Sequence, residues 1–142
     1  MTQLSDRIIS VLSELIVGSP YGRLLGLDFV SAEEDRVCLR LPYRDEVTTL
    51  GDTVHGGAIA GLVDAAATAS FWASAGIPPG SRGTTIGLTI NFASAGRGKD
   101  LMATARVLRR GREISTGEVA VVDDDGKEVA FALVTYKLSA PT

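Results

Sequence analysis

One histidine and one isolated carboxylate frame the stretch of this sequence best suited to chemistry. In HGGAIAGLVDAAATASFWASAG, residues 55 to 76, Asp64 is the single charged side chain, and no other Asp, Glu, Lys or Arg occurs between Thr53 and Ser81. An ionised carboxylate among small and apolar neighbours is costly unless it is paired or put to use. His55, the only histidine of the chain, is followed by Gly56-Gly57, which leaves the backbone N–H groups of a helix start sterically open, with Asp52-Thr53 available as the cap. Open amides at the positive end of a helix dipole attract an anion or a polarised carbonyl oxygen. Donors aimed at a developing oxyanion are half of an acyl-transfer site.

The spacing constrains how the other half is supplied. Gly57 and Asp64 are seven residues apart, roughly 10 Å along a helix, whereas a base or nucleophile and an oxyanion donor must each come within roughly 3 Å of one reacting group. One helix does not present both to the same atom. Two antiparallel copies related by a two-fold axis do, each Asp64 facing the helix start of the other, and an isologous dimer is the commonest assembly. Against these readings stand structural ones. Asp64 could pair with Arg82 or Arg112, or lie exposed at a gap in the sheet. His55 could fix a loop by hydrogen bonding rather than touch a substrate.

Other chemistries find little support. No G-x-S-x-G elbow accompanies the histidine, so a Ser-His-Asp triad is not expected, and neither a P-loop nor a dinucleotide fingerprint occurs. The single cysteine, Cys38, excludes an intrachain disulfide and any multi-cysteine metal site, and we expect no metal. Net charge is −3, so no global basic field attracts nucleic acid or an anionic membrane. The N-terminal MTQLSDRIISVLSELI carries Asp6 and Glu14 inside its apolar pattern and has no small-residue cleavage site, unlike a signal peptide. The run from 54 to 76 approaches membrane length, but Asp64 and the dominance of Ala, Gly and Ser point to a buried core helix. A cytoplasmic protein is expected.

The elements that must position these residues follow from periodicity. With 142 residues, 45% of them hydrophobic, the chain makes one domain with a substantial core. Leu4, Ile8, Val11, Leu12 and Leu15 recur at helical spacing over an amphipathic segment within residues 1–19, capped by Ser5 or Asp6 and ended by Gly18-Ser19-Pro20. GLDFVSAEEDRVCLRLPY alternates on both sides of Glu33-Glu34-Asp35 and predicts a hairpin. A polar segment, YRDEVTTLGDT, leads into the long helix, which the loop IPPGSRG stops. Four strand-like segments close the chain: TTIGLTINFAS, with Ile86, Leu88, Ile90 and Phe92 on one face, then LMATARVLRR, EISTGEVAVVD and EVAFALVTYKL. A helix apolar nearly all round must be buried on most sides. One sheet curled around it covers much of that surface, and the Ala- and Gly-rich remainder suits a partner subunit. Phe71 and Trp72 on the helix read as packing residues, either of which could line a pocket.

V-H-G-G-A-x-A-x-L-x-D (Val54 to Asp64), followed by TTIGLTINFASAG, resembles the hotdog-fold thioesterases of the phenylacetate-degradation (PaaI) type, as do A-x-A-R-V-x-x-x-G-R (Ala103 to Arg112) and V-x-D-x-x-G-K-x-V-A (Val121 to Ala130). The resemblance covers about residues 20 to 138. It implies an α+β fold in which a curved antiparallel sheet wraps a long central helix, with edge-to-edge homodimers that often pair into tetramers. The implied reaction is hydrolysis of an acyl-CoA thioester without a cofactor beyond the CoA of the substrate. In such enzymes the acid at the Asp64 position is general base or nucleophile across the dimer interface, and the amide at the Gly57 position polarises the carbonyl. Two positions depart from the pattern: Thr49 stands where the family often has a positioning Asn, and Asp52 stands where a glycine is usual. Thr85 matches a Ser or Thr that assists water. Candidate site residues are thus Asp64, Gly57, His55, Thr49 and Thr85, with Gly56, Arg82, Arg110 and Arg112 expected to contact substrate. Arg97, Lys99 and Arg109 lie near loops as further basic residues. A non-catalytic acyl- or acyl-CoA-binding protein on the same fold is the alternative. An acyl dehydratase would need a His–carboxylate motif that is not present.

Overall fold

The computed structural model describes residues 3–142. Its elements run α1 (Asp6–Ile16), α2 (Pro20–Leu25), β1 (Asp28–Glu33), β2 (Arg36–Leu41), a 3-10 turn (Asp45–Val47), α3 (Gly56–Trp72), β3 (Arg82–Phe92), β4 (Leu101–Arg109), β5 (Ile114–Asp123) and β6 (Glu128–Ser139). The six strands form one sheet in the order β1-β2-β4-β5-β6-β3, every pair antiparallel. The sheet curls over α3, which packs against β2, β3, β4, β5 and β6. This is the hotdog architecture expected from the sequence.

α3 holds together through alanine. Ala58, Ala66, Ala67 and Ala69 are buried with Ile59, Leu62, Val63 and Phe71, so a strong helix former supplies the length while small side chains let the strands approach closely. The sheet answers with Val37, Leu39, Leu41, Leu101, Ala103, Val119, Val121 and Val134, all 2% exposed or less. Each fully buried Leu or Val here contributes about 1.5–3 kcal/mol. Leu4 and Leu12, on the N-terminal segment, belong to this same core.

Two expectations are corrected. The helix start is capped not by Asp52-Thr53 but by His55 itself, whose side chain accepts from the Gly57 amide. Asp52 instead lies 3.8 Å from Arg97, and its carbonyl accepts from Gly98. The Gly18-Ser19-Pro20 stop ends α1 but also begins α2: Ser19 Oγ accepts from Gly22 N, Pro20 takes the first turn, and Gly26 ends the helix at φ 73°. These are ordinary start and stop signals compressed into eight residues, too few for periodicity to reveal.

β3 is an edge strand that pairs only with β6. Its register jumps between Thr85 and Gly87, which makes Ile86 an extra, bulged residue, 53% exposed. Alternation alone would put Thr85 and Phe92 on opposite faces. The bulge restores parity, so Thr85 reaches Asp64 on α3 while Phe92 lies against Gly56 at the start of that helix.

Candidate active site

Asp64 projects from the middle of α3, half-buried, and its Oδ1 accepts a 2.7 Å hydrogen bond from Thr85 Oγ1. Among the described residues it forms no ion pair within 4.0 Å, so neither Arg82 nor Arg112 neutralises it. A carboxylate held by one hydroxyl keeps lone pairs free to accept from water or attack an acyl carbon. Gly61, one turn before it, leaves room for a neighbour: a Cβ there would come within 2.9 Å of Tyr21 Oη and Leu25 Cδ1.

At the start of the same helix, the Gly57 N–H donates to His55 Nδ1 at 2.7 Å. For Nδ1 to accept, the proton of the neutral ring must sit on Nε2, which points a second donor away from the helix. The Gly56 N–H has no hydrogen-bond acceptor among the described residues. His55 and Gly57 are both exposed. His55 opens onto a cavity of about 330 Å³ that Tyr21, Arg44 and Thr48 also line. Asp64 opens onto a different one of about 160 Å³, between α3 and the α1–α2 segment. Nine residues of helix, about 13 Å, separate the histidine from the carboxylate.

The remaining candidates are placed as follows. Thr85 joins Asp64. Thr49 is exposed, and its amide bonds the Thr53 carbonyl in the loop before α3. Arg110 lies at the opposite end of α3, donating to the Phe71 carbonyl at 3.1 Å and to Asp35 Oδ1 at 2.6 Å. Its guanidinium thereby closes the C-terminus of the helix, where a cation is favoured. Arg112 lines a cavity of about 220 Å³ beside Arg110 and Ser115, and Arg82 begins β3 opposite Ser139. Lys99 pairs with Asp125. Sequence reasoning missed Tyr21, Gly61 and Arg44 around the two cavities. Gly61, three residues before Asp64 and on its face of the helix, was the one readable signal. Arg44 donates to the Leu24 carbonyl but leaves Nε buried without a partner among the described residues.

A curled sheet around an alanine-rich helix, with a polar helix start and a mid-helix carboxylate, defines the hotdog thioesterases. The Thioesterase superfamily profile matches residues 51–130, the span from the loop before His55 into the start of β6. A protein of Halobacterium salinarum with a provisional esterase name is 33% identical, over 80% of this chain and 81% of its own. Human acyl-coenzyme A thioesterase 13 is 27% identical over 92% and 93%. In structure, the Escherichia coli PaaI protein of the phenylacetic acid degradation operon superposes with a TM-score of 0.81 at 22% identity, covering 96% of each chain, which shows the shared fold. The chain belongs to the thioesterase superfamily and is a thioester hydrolase.

Proposed function

We propose that the protein hydrolyses acyl-CoA thioesters to the free acid and CoA, at a site built by two protomers. Asp64 of one protomer activates water, or attacks the acyl carbon to form an anhydride that water then opens. The thioester oxygen lies at the other protomer's helix start. There it competes with His55 Nδ1 for the Gly57 hydrogen and accepts from His55 Nε2–H. The charge that develops on that oxygen meets donors already fixed in place, the arrangement that lowers an acyl-transfer barrier most. No cofactor beyond the CoA of the substrate enters these steps.

The observation that carries this reading is the separation of Asp64 from His55 into different cavities along one helix. A second copy supplies the missing half. The free edge of β3, with Ile86, Leu88 and Phe92 exposed at 53%, 39% and 52%, offers unpaired backbone and apolar side chains for pairing with its own two-fold mate. Pairing there lays two α3 helices antiparallel. The outer sheet face, where Phe131 and Leu133 are exposed, supports a further pairing of dimers. Among the described residues no helix is long and apolar enough to cross a membrane, and we assign the protein to the cytoplasm with its substrate.

The test is thiol release from a panel of aryl- and fatty-acyl-CoA esters by wild type and Asp64→Asn. Wild-type turnover that falls at least a hundredfold in the variant supports the proposal. Ligand binding without turnover in wild type would instead assign a non-catalytic acyl-CoA-binding role, in keeping with Thr49 and Asp52 at their departing positions.

A further inference from the structure

α2 meets α3 at a glycine. A Cβ at Gly61 would lie 2.9 Å from Tyr21 Oη and 3.0 Å from Tyr21 Cε2, with Leu25 Cδ1 also at 2.9 Å. The hydroxyl end of Tyr21 is therefore what touches the helix. The corner that presents it is tight. Ser19 Oγ accepts from Gly22 N at 3.0 Å, and a Cβ at Gly22 would come within 2.3 Å of the Ile16 carbonyl oxygen. Tyr21 is also the residue that the cavity beside Asp64 shares with the cavity beside His55. Gly61 lines the former and not the latter, so the hydroxyl lies on the Asp64 side.

We propose that Tyr21 and Asp64 of one protomer hold the attacking water between them, which makes Tyr21 a water-positioning residue of the hydrolysis. The proposal rests on the thioesterase reading, because the water needs an acyl carbon to attack. Gly61 and Asp64 stand three residues apart on one face of α3, with Cβ positions about 5–6 Å apart. That sets hydroxyl and carboxylate at about the span of two hydrogen bonds of roughly 2.8 Å, which one water bridges. The cavity they share is about 160 Å³, ample for a molecule whose share of the liquid is about 30 Å³. Asp64 Oδ1 is taken by Thr85, which leaves Oδ2 to accept one hydrogen of the water. Tyr21 Oη forms no hydrogen bond among the described residues and accepts the other. The lone pairs of the water then turn toward the thioester at the partner's helix start. Asp64 takes a proton as the water oxygen bonds the acyl carbon; the C–S bond breaks, and that proton passes to the departing thiolate. The other polar side chains of the cavity are less well placed. Ser19 Oγ donates to the Ile16 carbonyl at 2.7 Å and accepts from Gly22, and Thr68 stands one turn beyond Asp64, on the side away from Gly61.

Tyr21→Phe keeps the ring on Gly61 and removes only the hydroxyl, at a position 53% exposed. On the acyl-CoA ester that wild type turns over fastest, kcat falls about three- to tenfold, the effect of one lost hydrogen bond. KM stays within about twofold, and the melting temperature is unchanged. Gly61→Ala displaces the hydroxyl and lowers kcat by a similar factor. Added to Tyr21→Phe it costs less than about twofold more, because both changes act through one hydroxyl. Full kcat in Tyr21→Phe would move the water elsewhere, to Thr68 first, and overturn the assignment. A fall in kcat that tracks a fall in melting temperature, or that multiplies with the effect of Gly61→Ala, overturns it as well, since either marks a structural role. Wild type that hydrolyses no ester brings down the thioesterase reading and this assignment together, whereas hydrolysis untouched by Tyr21→Phe leaves that reading standing.

Discussion

The Thr85 hydroxyl donates a 2.7 Å hydrogen bond to Asp64 Oδ1, tying the edge strand to the buried helix at the carboxylate itself. The bond fixes the rotamer of Asp64 and leaves Oδ2 without a hydrogen-bond partner among the described residues. It exists because the bulge at Ile86 turns Thr85 toward α3. Removing it with Thr85→Val loses a hydrogen bond to a charged group, worth roughly 1.5–3 kcal/mol. We predict a ten- to hundredfold fall in kcat with little change in KM, and Thr85→Ser within about threefold of wild type. Steady-state kinetics on the best ester check this, and a valine variant of full activity contradicts a positioning role.

Gly57 has a steric role as well as its amide. A Cβ at this position would lie 2.9 Å from His55 Nδ1 and 3.0 Å from Cε1, closer than side chains pack, so Gly57→Ala forces the imidazole from its place. Both donors for the carbonyl are disturbed at once. The expected loss in kcat is about a hundred- to a thousandfold, the magnitude for a lost oxyanion donor. Stability falls only by what a lost helix cap costs, about 1 kcal/mol, seen as a small drop in melting temperature. Kinetics and thermal unfolding on one preparation separate the two effects.

Arg110 divides structural from ligand-binding roles among the basic residues. It joins the β1–β2 turn, through Asp35, to the carbonyl end of α3. Arg110→Ala is expected to cost about 1–2 kcal/mol of stability, given charged hydrogen bonds discounted for partial exposure. KM for the acyl-CoA ester stays within about twofold. Denaturant unfolding and saturation kinetics read both numbers, and a large rise in KM with unchanged stability would place Arg110 on the CoA instead.

Tyr136 makes the fold sensitive to alkali. Burial pushes its phenol above the usual range, and the nearby Asp64 charge adds to the shift, while the hydrogen bond from Trp72 opposes it. The neutral form is thus preferred in the folded protein. Its contribution to stability is fully present below the unfolded value of about 10 and is lost as pH rises through the higher folded value. Wild type should lose stability above about pH 10 more steeply than Tyr136→Phe, measured as melting temperature against pH.

The parts of this molecule that were legible in its sequence are those that follow from periodicity. α3 was visible as an apolar run broken by one carboxylate, and the alternation of TTIGLTINFAS and its successors marked the strands. The need for a second helix could be argued from the distance between Gly57 and Asp64 alone. What escaped depends on single backbone events. The bulge at Ile86 shifts parity by one residue, which no pattern of apolar residues announces, and it alone decides that Thr85 faces Asp64. The cap by His55 uses an imidazole where Asp or Thr is the usual choice, so Asp52-Thr53 drew the expectation. The cavity beside Asp64 arises from tertiary packing between segments some fifty residues apart, with Leu15 on α1 and Thr68 on α3, and neither residue type marks a site by itself.

The most direct test of a site shared between protomers is complementation between two inactive variants, Asp64→Asn and Gly57→Ala, co-expressed with different tags and purified through both. Each mixed dimer contains one site with both lesions and one with neither. The account predicts that the doubly tagged dimers recover about half the wild-type rate, while each variant alone stays near its own residual level. Mixed dimers no more active than the parents would contradict it, and would return Asp64 and Gly57 to a single chain.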